Sequence, residues 1–155
     1  MEELLDSDEE RYFFWYVTEL KDKGFIKHIE LQPKPFDLSS SIHSDYTKQL
    51  KTKEKEVSEC LMIKHIYTTD VKIIWNESAL DIFTTTIDSK IKKTSNRSLD
   101  YIISQRNSNG ELVSFVEVKP SFDQNNMTRL AKINIKWVWE KFEIFVNIII
   151  PEKQF

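Results

Sequence analysis

Behind Ser7 the apolar residues Tyr12, Phe13, Tyr16, Val17 and Leu20 recur at three- and four-residue intervals, and Glu10 stands three positions after the serine. This spacing predicts an amphipathic helix over 8–22, opened by a capping box and ended by Gly24. Residues 25–31 partly alternate and predict a strand stopped by Pro33 and Pro35. Residues 36–59 are polar and rich in Lys and Glu, which predicts an exposed loop with one short helix near 48–59. β-Branched and aromatic runs at 61–66 and 71–75 predict one bent strand or two short ones. The core sheet is expected to start there, with Tyr67-Thr68-Thr69-Asp70 between the runs. Residues 76–97 end in a basic segment and are expected to leave the sheet.

Two apolar runs, 99–106 and 111–119, flank Ser108-Asn109-Gly110, and an Asn-Gly pair in that setting signals a hairpin. Pro120 ends the strand, and Asp123 or Asn126 can cap a second helix reaching about residue 142. On its wheel Met127, Leu130, Ala131, Trp137, Val138 and Phe142 share one arc, opposite Arg129, Lys132 and Lys136. Residues 144–150 are nearly all aliphatic and closed by Pro151, the pattern of a buried strand. The order α, β, several β, α, β predicts an α/β (α+β) domain, a mixed central sheet flanked by helices.

Composition narrows the function. With 155 residues, 40% apolar and 30% charged, the chain fits one domain over 1–155 with a substantial core, which excludes wholesale disorder. Only two glycines exclude a Gly-rich phosphate cradle. Cys60 stands alone, so no internal disulfide or cysteine-based zinc site can form, and a reducing compartment is expected. His28, His43 and His65 lack metal spacing. The net charge of −3 argues against a polyanionic partner, but it is unevenly spread. Six acids fall in the first ten residues, and the other 145 carry 22 bases against 19 acids. An acidic leader (1–7) thus precedes a mildly basic body. No apolar run has the length or flanks of a signal peptide or membrane helix, so the expectation is a cytoplasmic protein, not secreted and without membrane contact.

The string Phe115-Val116-Glu117-Val118-Lys119-Pro120 carries the most chemistry. In a strand Glu117 and Lys119 project from one face, Val116 and Val118 from the other. The bland account is an ion pair on an edge strand. Together with the hairpin before Glu117, the helix after Pro120 and the aliphatic strand beyond, the string resembles the PD-(D/E)XK nucleases. These share a restriction-endonuclease-like αβββαβ core with the motif on its third strand, and residues 36–59 and 76–97 would be insertions in it. The likeness is greatest to small phage endonucleases of the Holliday-junction-resolvase kind and to endonuclease subunits of transposition machinery.

The resemblance implies a metal-dependent endonuclease hydrolysing DNA phosphodiester bonds in recombination or processing. It implies a Mg²⁺ cofactor, which Mn²⁺ can replace, held by an upstream Asp, by Glu117 and by the Val118 carbonyl, with Lys119 as catalytic lysine. Two residues compete to be the Asp. Asp70 lies 47 residues before Glu117 and has apolar runs on both sides, where a carboxylate is costly without a metal or partner. Asp100 lies 17 residues before Glu117, and a two-residue Asn109-Gly110 turn would set it opposite Lys119. Asp70 is placed first. Glu10 is the candidate acid from the first helix, although its capping role already explains it; Glu9 is the fallback.

For a polyanion, Arg129, Lys132 and Lys136 form one stripe, with Trp139 beside it to stack on a base. Lys90, Lys92, Lys93 and Arg97 form another, equally readable as exposed linker. The partners expected are DNA, branched forms included, other DNA-processing or virion proteins, and a second copy through Trp139 and Phe155. A Lys-, Ile- and Asn-rich composition is compatible with a phage source, hence host cytoplasm. The rival readings are a non-catalytic nucleic-acid-binding protein on the same fold and a phage structural or adaptor protein.

Overall fold

The computed structural model describes residues 4–87, 101–120 and 127–151. Helix α1, Asp8–Asp22, begins as expected: Ser7 Oγ accepts the Glu10 N–H at 3.2 Å. It ends in a Schellman turn, Phe25 N–H donating to the Leu20 carbonyl at 2.9 Å, with Gly24 at the positive φ of 85° that this turn requires. The leader is not a free tail over its described residues. Leu5 is buried in the main core, and Gln32 Nε2 donates to the Leu4 carbonyl at 3.1 Å.

The main sheet is mixed and runs in the spatial order β1 (Ile26–Leu31), β6 (Val71–Trp75), β9 (Leu112–Val118), β8 (Ile102–Arg106), β7 (Thr84–Thr86), with β10 (Val146–Ile149) parallel to β9. Strands β1, β6 and β9 are successively antiparallel. The sheet therefore starts at β1, and the 61–66 run is not part of it but divides between the ends of two separate two-stranded sheets, while part of the 76–97 excursion returns to the main sheet as β7. β9 lies in the centre and is buried along both faces. Its even residues join Phe13, Val17, Leu20, Val71, Ile73 and Trp75 under α1. Phe115, of opposite parity, packs near Val138 of α2 (Met127–Phe142), Val146 and Leu38. The two helices thus cover opposite faces.

β8 pairs with β9 only at Gln105 and Arg106, and β10 takes over at Phe115. Where the strands part, buried Asn147 fills the gap: its Oδ1 accepts the Ile103 N–H at 2.9 Å, and its Nδ2 donates to the Ile103 and Phe115 carbonyls at 2.9 and 3.0 Å. Asn147→Leu strands the Ile103 N–H and takes a donor from the Phe115 carbonyl, while the Ile103 carbonyl keeps the Ser114 hydroxyl at 2.9 Å, and the change is expected to cost about 2–4 kcal/mol. Urea unfolding measures it, and a cost under about 1 kcal/mol would remove Asn147 as the joint.

Three further expectations change. Residues 36–59 form no helix; they and the residues after them make β2 (Phe36–Ser39), which pairs β5 (His65–Tyr67), and a ribbon of β3 (Ile42–Gln49) and β4 (Glu54–Met62). The Asn-Gly hairpin exists, but its loop has three residues: Asn107 N–H bonds the Glu111 carbonyl, and Asn107 Oδ1 accepts the Asn109 and Glu111 N–H groups at 3.0 and 2.9 Å. That Asx turn shifts the register by one from the two-residue turn. On α2 the buried positions are Ala131, Asn134 and Val138 with Ile135 half-buried, whereas Leu130 and Trp137 are exposed.

Candidate functional site

Glu117 and Lys119 stand at the C-terminal end of the central strand, on the face opposite Val116 and Val118. Lys119 Nζ lies 3.0 Å from Glu117 Oε1, and both side chains are about nine-tenths buried, at 13% and 9% exposure. This is no edge-strand surface pair, and desolvating both charges is expensive without further partners. Tyr67, at the end of β5, supplies one: its hydroxyl donates to Glu117 Oε2 at 2.8 Å. Burial first, then the Glu117 charge, pushes the Tyr67 phenol far above its usual range, so it stays a donor.

Asp70 precedes β6, and its backbone places it beside the motif. Its N–H donates to the Val116 carbonyl at 3.1 Å, and its own carbonyl accepts from Gln32 at 2.9 Å. Extending the β6–β9 register, in which Val71 faces Val116, sets Asp70 opposite Glu117. Its Oδ2 accepts the Val118 N–H at 2.7 Å. Burial and the neighbouring Glu117 charge raise the Asp70 carboxyl to about 7; the Val118 bond opposes this, Glu10 adds to it, and Lys119 lowers it. Of the apolar flanks that drew attention to Asp70, only the downstream run is buried; Met62, Ile63 and Ile66 on the upstream side are exposed. Val71 and Ile73 are fully buried in the core under α1, whereas Asp70, of opposite parity, is half-buried.

Glu10 enters from the first turn of α1. Its Oε2 accepts the Asp6 N–H at 2.9 Å rather than the Ser7 N–H that a closed capping box would use. Its carboxyl is raised, by burial first, then by Asp6 and Glu117 against the lowering effect of the Asp6 N–H and Lys119. The fold therefore brings Glu10, Asp70, Glu117 and Lys119 into one electrostatic neighbourhood. Val118 joins through its N–H, with its side chain buried on the α1 side.

The basic residues gather less closely. Arg129, Lys132 and Lys136 are exposed on α2, as is Trp139, and among the described residues none of the three bases has a carboxylate partner. Lys90, Lys92, Lys93, Arg97, Asp100 and Phe155 lie outside the described residues, as do the caps Asp123 and Asn126. His65 bonds Asn134 Oδ1 at 2.8 Å, and Cys60 is exposed.

Sequence reasoning missed Tyr67, read only as part of a linker. Its signal was the Tyr-x-x-Asp spacing beside apolar runs: a three-residue strand, β5, buries the ring and aims its hydroxyl at the motif.

No family model, curated protein or solved structure matches the chain. Among the described residues no helix is long and apolar enough to cross a membrane.

Proposed function

We propose that this protein is a divalent-metal-dependent endonuclease of PD-(D/E)XK type acting on DNA. The observation that carries the reading is the placement of Asp70 across from Glu117 on adjacent central strands, with Lys119 on Glu117. The succession α1, β1, β6, β9, α2, β10 supports it, being the order αβββαβ once β2–β5 and β7 are set aside as insertions and β8, the first strand of the hairpin counted in the core from the sequence, is taken out of it.

Among the described residues no three His, Cys, Asp or Glu side chains cluster closely enough to enclose a metal by themselves. Mg²⁺ does not ask for that, since one or two carboxylates plus water and substrate phosphate complete its octahedron. Asp70 and Glu117 are hard oxygen donors whose mutual repulsion a cation would relieve, so the residues present fit the ion. They would hold it with the Val118 carbonyl, and when bound it supplies a nucleophilic water and charge neutralisation at the phosphate. Lys119 then orients that water or offsets charge on the phosphoryl oxygens, with Glu117 fixing its ammonium. Tyr67 holds Glu117 in its rotamer, and Glu10 adds negative charge at the rim.

A non-catalytic DNA-binding or adaptor role on the same fold draws on one specific observation: both Glu117 oxygens already have protein partners, Tyr67 and Lys119. Turnover separates the two. Purified protein with Mg²⁺ or Mn²⁺ is expected to cut linear, nicked or four-way-junction DNA, and Glu117→Ala to abolish both cutting and divalent-ion binding. Intact DNA on all three substrates, with ion binding unchanged by Glu117→Ala, would falsify the nuclease reading.

A further inference from the structure

The β3–β4 ribbon is the largest feature that the site leaves unexplained. Nearly every residue of both strands is exposed, and the two strands form their own sheet, paired with no other. Strands of eight and nine residues make a ribbon about 25–30 Å long. Such a hairpin buries little and is marginal alone, so its length calls for a partner.

Its register sorts charge by face. Directly opposed residues share a face, and faces alternate along each strand. The pairs Ser44–Glu59, Tyr46–Val57 and Lys48–Lys55 stand on one face; His43–Cys60, Asp45–Ser58, Thr47–Glu56 and Gln49–Glu54 stand on the other. Lys53 closes the turn, where its carbonyl accepts the Leu50 N–H at 2.9 Å. Toward the tip one face thus carries Lys48, Lys55 and Tyr46, with the acid Glu59 farther back at the base, and the other carries Asp45, Glu54 and Glu56. Lys48 opposite Lys55 is a repulsive pair that weakens the ribbon. Among the described residues no carboxylate lies within ion-pair distance of Lys48, Lys53 or Lys55. An external anion is what resolves that repulsion.

We propose that the β3–β4 ribbon is a duplex-DNA-binding arm, with Lys48, Lys53 and Lys55 on the phosphate backbone and the acidic face turned away. The choice of DNA rests on the nuclease reading; the choice of a phosphate polyanion rests on the opposed lysines. B-form DNA suits the shape, because its major groove is wide enough for a two-stranded ribbon, while that of A-form RNA is not open to side chains.

The test is fluorescence anisotropy with a labelled 30-bp DNA duplex in EDTA at 50, 100 and 200 mM NaCl, where no cutting can occur. The triple variant Lys48→Gln, Lys53→Gln, Lys55→Gln is expected to bind about 10- to 100-fold more weakly at 100 mM and to lose roughly two to three units of the log Kd against log salt slope. A companion variant of the acidic face, Asp45→Asn, Glu54→Gln, Glu56→Gln, is expected to bind as tightly or tighter. Circular dichroism controls for folding, and the lysine variant is expected to melt no earlier than the wild type. Unchanged affinity and slope in the lysine variant overturn the arm. So does duplex RNA bound equally well through the same lysines, or sedimentation showing that the lysine variant only dissociates a dimer while DNA affinity per protomer stays the same. A wild type that binds DNA through these lysines but never cuts it with Mg²⁺ supports the arm and sinks the nuclease.

Discussion

Lys119→Met is expected to slow DNA cleavage roughly 100- to 10,000-fold while leaving Mn²⁺ affinity unchanged or tighter. The ammonium sits 3.0 Å from Glu117 Oε1 and neutralises much of its charge. Without it an arriving divalent ion meets a more negative carboxylate, so binding improves even as the group that would steer water or steady the phosphoryl charge is lost. Glu117→Gln is expected to depress cleavage and Mn²⁺ affinity together. Single-turnover cleavage and calorimetric Mn²⁺ titration of the two variants read this split. Removing one member of a buried pair costs about 3–5 kcal/mol, so each assay is run below the variant's own unfolding transition. Lys119→Met cutting within threefold of wild type would return the pair to a purely structural role.

That the pair is buried was not legible in its tripeptide. Glu-Val-Lys alternates identically on an edge strand and in the middle of a sheet. What placed it centrally was the pairing of β9 with β6 on one side and with β8 and β10 on the other, contacts separated by 30 or more residues except within the hairpin. Local signals fared better. Ser7 and Gly24 bounded α1, Pro120 and Pro151 closed their strands, and the aliphatic run near 144–150 became β10. The Asn-Gly pair announced a hairpin, but its register was set by Asn107, whose side chain outcompetes the two-residue turn by taking two backbone N–H groups.

The largest miss has a simple cause. A ribbon exposed on both faces has no apolar side, so the alternation that marks a strand is absent, and its Lys and Glu residues read as loop or helix. The arc assigned to α2 drifted for a related reason: Asn134 is buried because His65 satisfies its amide, a contact invisible in the helix alone. Asp70 was legible from its downstream side alone: Val71 and Ile73 are buried, but Met62, Ile63 and Ile66 before it are exposed, and the half-buried carboxylate is held by the Val118 N–H.

Asp70→Asn is expected to stabilise the metal-free protein at pH 8 and to end cleavage. In the fold the Asp70 carboxyl titrates at about 7 against an ordinary 3.8, because burial and Glu117 disfavour its charge. Below pH 3.8 it is protonated in both the folded and unfolded states, and its favourable contribution is complete. As pH climbs from there to 7 the unfolded chain ionises while the folded chain resists, so stability falls through that window and levels off above it. Asparagine keeps an oxygen to accept the Val118 N–H and carries no charge. The gain at pH 8 is therefore expected to be about 2–4 kcal/mol, shrinking toward zero near pH 4. With roughly 2–4 °C of melting temperature per kcal/mol, the shift is well within reach of a thermal melt. In EDTA the wild-type melting temperature should drop relative to the variant from pH 4 to pH 7. Added Mn²⁺ should recover it in the wild type alone, since an ion bound only to the folded state stabilises in proportion to its occupancy. A variant less stable than wild type at pH 8 would show that the Asp70 charge is compensated within the fold, and the strain attributed to its burial would be gone with it.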